Sequence, residues 1–193
     1  MQIKKYLNPT NLLYLLLTIA AIEIIALVIE NKNLKADIAS HASARSPVKV
    51  GDVLQTSYSL KKLDGRDFDL KDYVDRNEKI FLIFLSTDCP ACELDISIWS
   101  NIYELSKSAN FALLAVSLDN QIETERFARL NRLGIEFVFD PEHGPFFKGN
   151  RIFSVPKILL LDSDGKVINL WDGSVSNKAN ELLSTIESFR KKG

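Results

Sequence analysis

Three short runs are apolar at every position: Ile80–Leu85 (IFLIFL), Ala112–Val116 (ALLAV) and Ile158–Leu161 (ILLL). A strand with one wet face alternates apolar and polar residues, so runs without alternation predict central strands covered on both faces. The covering layers are visible between them. Leu94, Ile98, Ile102 and Leu105 recur at helical spacing, as do Ile122, Phe127, Leu130 and Leu133 before a stop at Gly134. A last helix, from Asn177 to Arg190, is expected to bury Leu182, Leu183, Ile186 and Phe189. Strands alternating with helices predict an α/β fold, a central sheet flanked by helices. Hairpins border it: Val53–Leu70 alternates around the Asp64-Gly65 turn, and Val167–Trp171 follows the turn Asp162-Ser163-Asp164-Gly165.

None of this accounts for the first thirty residues. Leu12–Ile29 is apolar at almost every position except Glu23, with no polar stripe. As a helix it is about 27 Å long, close to the thickness of a bilayer core. Its Leu, Ile and Val residues favour insertion by roughly 0.3–0.6 kcal/mol each, against about 3 kcal/mol for one central acid, so insertion wins. A buried core helix is the weaker reading, because little downstream sequence is shaped to surround so uniform a surface. Cleavage as a signal peptide is also disfavoured, since the Ala-x-Ala-like site, Ala42-Ser43-Ala44, lies far beyond the apolar region. Residues 1–30 are therefore expected to be a membrane anchor, 31–47 a polar linker with at most a helical start, and 48–193 a folded domain. Lys4 and Lys5 compete with Lys32 and Lys35, so charge does not decide the orientation. Glu23 and Glu30 share a helix face that a partner helix could use.

The chain has 24 basic and 25 acidic side chains, a balance that gives no electrostatic reason to expect nucleic acid. Its cysteines, in contrast, are concentrated: the two it has are Cys89 and Cys92, in Cys-Pro-Ala-Cys. Cys89 falls where a central strand ends and a helix should start, and Pro90 suits the first helical position. Unpaired N–H groups and the positive end of the helix dipole stabilise a thiolate there. Cys92, one turn on, can reach back to form a disulfide. The arrangement suits Cys89 to attack a substrate disulfide and Cys92 to resolve the mixed disulfide. Buried structural cysteines fit this loop poorly, and a structural disulfide over so short a loop stabilises little. A zinc site lacks a second cysteine pair, with His41 and His143 isolated in sequence.

From about Val50 to the C-terminus the sequence resembles the thioredoxin superfamily. Within it, the similarity is to membrane-anchored thiol–disulfide oxidoreductases related to TlpA and ResA, with an AhpC/TSA-like domain. The features that carry the resemblance are Gly51-Asp52, LDGRDFDL, the strand into Cys89-Pro90-Ala91-Cys92, VSLD at Val116–Asp119, FDPEHG and SVPKILLLDSDGKV. It implies a thioredoxin-like fold with a mixed sheet, and a cis peptide before Pro156 that presents the Val155 backbone to an extended substrate segment. It also implies a domain outside the bacterial cytoplasmic membrane, fed with electrons by a membrane thiol transporter. Disulfides of exported proteins, apocytochrome c among them, are the implied substrates, and no cofactor is needed.

Two positions depart from the family. Many relatives have Trp where this chain has Asp88, and Asp95 stands where TlpA- and ResA-like proteins often have Glu, a proton carrier for the second thiol. Without the resemblance, Asp95 and Glu93 read equally well as solvated acids at a helix start. A carboxylate beside Cys89 disfavours its thiolate, and strong oxidants stabilise theirs, so the expectation is a reductant or mild exchanger. A peroxiredoxin-like peroxidase is the main rival. Ser86 fits its pattern, but Leu82 stands where that family has proline. A copper-delivery protein like the Sco family calls for a longer cysteine spacing and a distant histidine, and His143, in the loop DPEHGP, reads more simply as a surface residue. A scaffold without turnover would have little reason to keep both thiols at a helix start.

Overall fold

A computed structural model describes residues 9–44, 46–141 and 144–189. The chain divides into two compact units at Ser46/Pro47. The first is helix α1, Pro9–Ala44, 36 residues long. Within it Leu12–Lys32 is long and apolar enough to cross a membrane, and none of that stretch is buried. Its 21 residues span about 31 Å, the thickness of a hydrocarbon core. Thr18 suits that setting, because its hydroxyl donates to Leu15 O at 2.8 Å and leaves no free donor. The helix continues through Ala44, so residues 31–44, expected as a polar tether, are helical. Lys, Ala and Leu in that stretch are good helix formers, and no Gly or Pro interrupts it before Pro47.

The second unit is built on a seven-stranded sheet of order β2-β1-β5-β4-β3-β6-β7. Its centre is β3 (Lys79–Leu85), parallel to β4 (Ala112–Ser117) and antiparallel to β6 (Lys157–Asp162). Outside these lie β5 (Glu136–Phe139), parallel to β4, and β7 (Val167–Asp172), antiparallel to β6. The hairpin of β1 (Leu60–Lys62) and β2 (Asp67–Phe68) closes one edge against β5. Gly65, at φ +82, takes the left-handed conformation the hairpin loop requires.

The unbroken apolar runs are explained by the two cores. Phe81, Ile83 and Leu85 of β3 enter a cluster with Trp99, Ile102, Phe127, Leu182 and Ile186. These come from α3 (Pro90–Ser106), α4 (Gln121–Leu130) and α6 (Ala179–Glu187). Ile80, Leu82 and Phe84 face the opposite way, into Leu70 and Val74 of α2 (Leu70–Asp75) and Phe146 and Phe147 of α5 (Pro145–Gly149). Successive side chains of one strand thus feed two cores.

Three expectations about helix faces are corrected. Leu94 is exposed, and α3 buries Cys92, Asp95, Trp99 and Ile102 instead. The buried face is rotated because it includes an acid, which hydrophobic spacing alone assigns to water. Ile122 and Leu130 are also exposed, since α4 buries only Thr124 and Phe127. That helix ends at Leu130, capped by Asn131, before the expected stop at Gly134. Strand β5 was not anticipated: EFVF has four residues and begins with Glu136, which pairs with Lys62 on β1 at 2.9 Å.

Candidate active site

Strand β3 ends at Leu85, and Ser86-Thr87-Asp88 turn the chain into α3. Cys89 is the N-cap of that helix, with extended backbone (φ −92, ψ 108), and Pro90 follows at the first turn. Its sulfur does what a serine oxygen commonly does at this position: it accepts the Cys92 N–H, at 3.3 Å. The Cys89 backbone carbonyl accepts from Cys92 N and Glu93 N as well. A sulfur so placed faces the positive end of the helix and its first unpaired N–H groups.

The two thiols, both free, have unlike surroundings: Cys89 is half-buried and Cys92 fully buried. Burial pushes the Cys92 thiol far above the usual thiol range. The bond to Cys89 and the negative charge of Asp95 push the same way, while the Ser86 N–H opposes them. One sulfur is therefore accessible and the other holds its proton.

Facing Cys89 is the segment before β6. The Val155–Pro156 peptide is cis, and Cys89 Sγ donates to Val155 O at 3.6 Å, across 66 residues of sequence. Asp172, at the end of β7, braces both flanks of that peptide. Its Oδ1 accepts from Ser154 Oγ at 3.0 Å and lies 2.8 Å from Lys157 Nζ, an ion pair without good hydrogen-bond direction. Gly173 N donates to Pro156 O at 3.0 Å. Burial works against the Asp172 carboxylate, but the Lys157 ammonium and Ser154 hydroxyl outweigh it and hold the carboxyl below its ordinary range.

A second carboxylate secures the loop ahead of Cys89. Asp119, just past β4, accepts from Thr87 N at 2.5 Å and from Ser86 Oγ at 3.3 Å. Ser117 Oγ in turn holds Asp119 N at 3.1 Å and receives the Thr124 hydroxyl at 2.9 Å.

Asp95 is not a solvated acid. It is fully buried on the Cys92 face of α3, where Oδ1 accepts from Ser174 Oγ at 2.6 Å and Oδ2 from Val175 N at 2.9 Å. Asp88 is exposed and lines a groove of about 530 Å³ with Glu93, Arg126 and Leu130, so solvent screens its charge. On the Val155 side a smaller cleft, about 250 Å³, is walled by Leu118, Phe147, Ile152 and the exposed Phe153.

The structure thus brings Cys89, Cys92, Val155, Pro156 and Asp95 together, with Asp88 at the rim. The sequence had given no function to Ser174, Asp172 or Lys157, and Asp119 figured only inside the VSLD motif. Among the described residues no group of three or more His, Cys, Asp or Glu side chains is placed to hold a metal. His143 lies outside those residues.

Comparison with known proteins points the same way. The model of the AhpC/TSA family matches residues 50–179. The thiol-disulfide oxidoreductase ResA of Bacillus thuringiensis is 25% identical over 137 residues, 70% of this chain and 74% of the relative. The sporulation thiol-disulfide oxidoreductase A of Bacillus subtilis is 25% identical over 114 residues, 57% of this chain and 67% of the relative. Among solved structures, a thiol:disulfide interchange protein from Bacteroides sp. superposes with a TM-score of 0.63 at 18% identity, covering 76% of this chain and 93% of its own. Peroxidoxin BcpB of Mycobacterium tuberculosis gives 0.62 at 17% identity, covering 75% and 99%. At such identities the superpositions speak for the thioredoxin-like fold alone. With a family match over most of its length and a thiol pair at the start of α3, the chain belongs to the AhpC/TSA family and is an oxidoreductase of the thiol–disulfide kind.

Proposed function

We propose that the protein is anchored in the bacterial cytoplasmic membrane through its apolar helix and reduces disulfides of exported proteins outside that membrane. Apocytochrome c is a candidate client, and a membrane thiol transporter is the electron donor that recharges the Cys89–Cys92 pair. The observation that carries the reading is the asymmetry of the thiols: Cys89 half-buried on a helix N-terminus beside the Val155 carbonyl, and Cys92 sealed behind it. A client laid along Val155 brings its disulfide to Cys89. Cys89 attacks one client sulfur, forming a mixed disulfide, and Cys92 then displaces the client as a thiol. Asp95 takes the Cys92 proton. Because high thiol pKa values favour the disulfide over the dithiol, the raised Cys92 supports a reductant.

The test is trapping in membranes. Cys92→Ser is expected to accumulate client adducts that dithiothreitol dissolves, and Cys89→Ser to accumulate none. A membrane-impermeant maleimide should label Cys89 in intact spheroplasts. Adducts absent from Cys92→Ser, together with rapid peroxide consumption that Cys89→Ser abolishes, would transfer the site to the peroxidase reading.

A further inference from the structure

Both Cys92 and Asp95 are fully buried, which leaves a gap in the cycle. When Cys92 attacks, its proton moves to Asp95, but a proton delivered to a second buried group has not left the protein. Before Asp95 can serve again it must lose that proton, and the described residues around it offer a polar route outward.

Asp95 Oδ2 is fixed by the Val175 N–H at 2.9 Å, a donor that cannot accept a proton. Oδ1 faces a hydroxyl, Ser174 Oγ, at 2.6 Å. Ser174 Oγ lies 2.9 Å from Ser176 Oγ and accepts Ser176 N–H at 3.3 Å. Along this line burial falls stepwise: Asp95 is buried, Ser174 half-buried and Ser176 exposed. A hydroxyl both accepts and donates, so it can take a proton on one side and release its own on the other. The turn that carries both serines also begins with Gly173, whose N–H holds Pro156 O at 3.0 Å. Asp95 otherwise faces Cys92 on its own helix. Among the described residues no lysine, arginine or histidine forms an ion pair with it.

We propose that Ser174 and Ser176 are the proton exit of the buried thiol, a two-hydroxyl relay from Asp95 to water. The inference rests on the reading of Cys92 as resolving thiol and Asp95 as its proton acceptor. In resolution the Cys89–Cys92 bond forms, the bond between Cys89 and the client sulfur breaks, and the electron pair leaves on the client thiolate. The pair of cysteines loses two electrons and the client gains them. The Cys92 proton passes to Asp95, which lies on the same helix face at i,i+3 spacing, with the two β-carbons about 5–6 Å apart. Asp95 then protonates Ser174 Oγ, Ser174 gives its own proton to Ser176 Oγ, and Ser176 gives one to water. Rotation of the two hydroxyls resets the chain. Both serines are positioning residues, since neither touches the sulfurs.

The test uses the full chain, reduced and in detergent, mixed with dithiobis(nitrobenzoate) in weakly buffered solution containing a pH indicator. The first coloured thiolate reports attack by Cys89 and the second reports resolution by Cys92. The indicator reports proton release. In the wild type, proton release is expected to coincide with the second thiolate. In Ser174→Ala the second thiolate is expected first, with the proton lagging by about tenfold, a fraction of the effect of a full acid–base group. Ser176→Ala, at an exposed position, should lag in the same sense, and Ser174→Thr should restore coincidence. Release of proton and thiolate together at wild-type rate in both alanine variants overturns the relay. So does a slowing of both signals in step, which marks a purely structural role. Absence of the second thiolate in the wild type defeats the underlying reading of Cys92 and the relay with it, an outcome distinct from the others.

Discussion

Asp119 makes no contact with either sulfur, yet its removal should be felt at Cys89. Its carboxylate accepts the Thr87 N–H at 2.5 Å and the Ser86 hydroxyl at 3.3 Å, tying the loop that leads into Cys89 to the end of β4. Hydrogen bonds to a charged group contribute about 1.5–3 kcal/mol. Thr87 and Asp119 are both half-buried, so water partly replaces the lost partner and the lower end applies. With about 0.5 kcal/mol for the longer hydroxyl contact, Asp119→Ala should destabilise the reduced protein by about 2 kcal/mol. Asp119→Asn, which keeps a neutral acceptor oxygen, should cost about half as much. For a chain of this size 1 kcal/mol moves Tm by roughly 2–4 °C, so the alanine variant should melt about 4–8 °C lower. Thermal denaturation followed by circular dichroism measures this, and the rate of the first thiolate released from an aromatic disulfide measures the placement of Cys89. The alanine variant should be slower in that phase and the asparagine variant intermediate. A Tm within 1 °C of wild type, or a loss in Asn as large as in Ala, refutes the charged-clamp account.

Asp172→Asn leaves the Lys157 ammonium, only 1% exposed, without its counter-charge. Breaking a buried pair costs about 3–5 kcal/mol, and because the Asp172 side chain is 50% exposed we expect about 2 kcal/mol in urea unfolding. Lys157→Met should recover most of that loss in the double variant. The raised Cys92 thiol makes the reduced form pH-sensitive. Its favourable protonated state contributes fully below the unfolded thiol pKa of about 8.5 and is lost as pH rises through the folded value, by about 1.4 kcal/mol per unit. The oxidised form has no such thiol, so the Tm gap between the two forms should widen above about pH 8.5; parallel curves would contradict the placement of Cys92. The reduction potential should lie nearer thioredoxin, about −270 mV, than a protein-oxidising catalyst at about −120 mV, as equilibration with dithiothreitol and glutathione buffers would show.

The central strands were legible in the sequence because burial on both faces leaves an unmistakable pattern: Ile80–Leu85 and Ile158–Leu161 have no position that needs water. The position of Cys89 was legible for a local reason, the junction of such a run with a proline-started helix. What was not legible depends on partners far along the chain. Asp95 reads as a surface acid until Ser174 and Val175, 79 and 80 residues later, are seen to satisfy it. Lys157 has a lysine's usual claim to solvent until its cross-strand partner Asp172 is in place. Leu94 and Ile122 erred the other way, because spacing says which residues share a helix face and not whether anything covers that face.

Strand β3 runs antiparallel to β6, so the end of one and the start of the other emerge on the same side of the sheet. Cys89 follows the first and Val155 precedes the second, 66 positions apart in the sequence. During synthesis the Cys-Pro-Ala-Cys segment therefore appears well before the Val155 carbonyl that Cys89 faces and the turn that satisfies Asp95. An emerging chain carries two thiols in an ordinary flexible peptide, able to react but not to select. The surroundings that set the two thiols apart are complete only when β6 and the turn after β7 are in place, so the emerging chain crosses a window in which its own thiols are unsupervised.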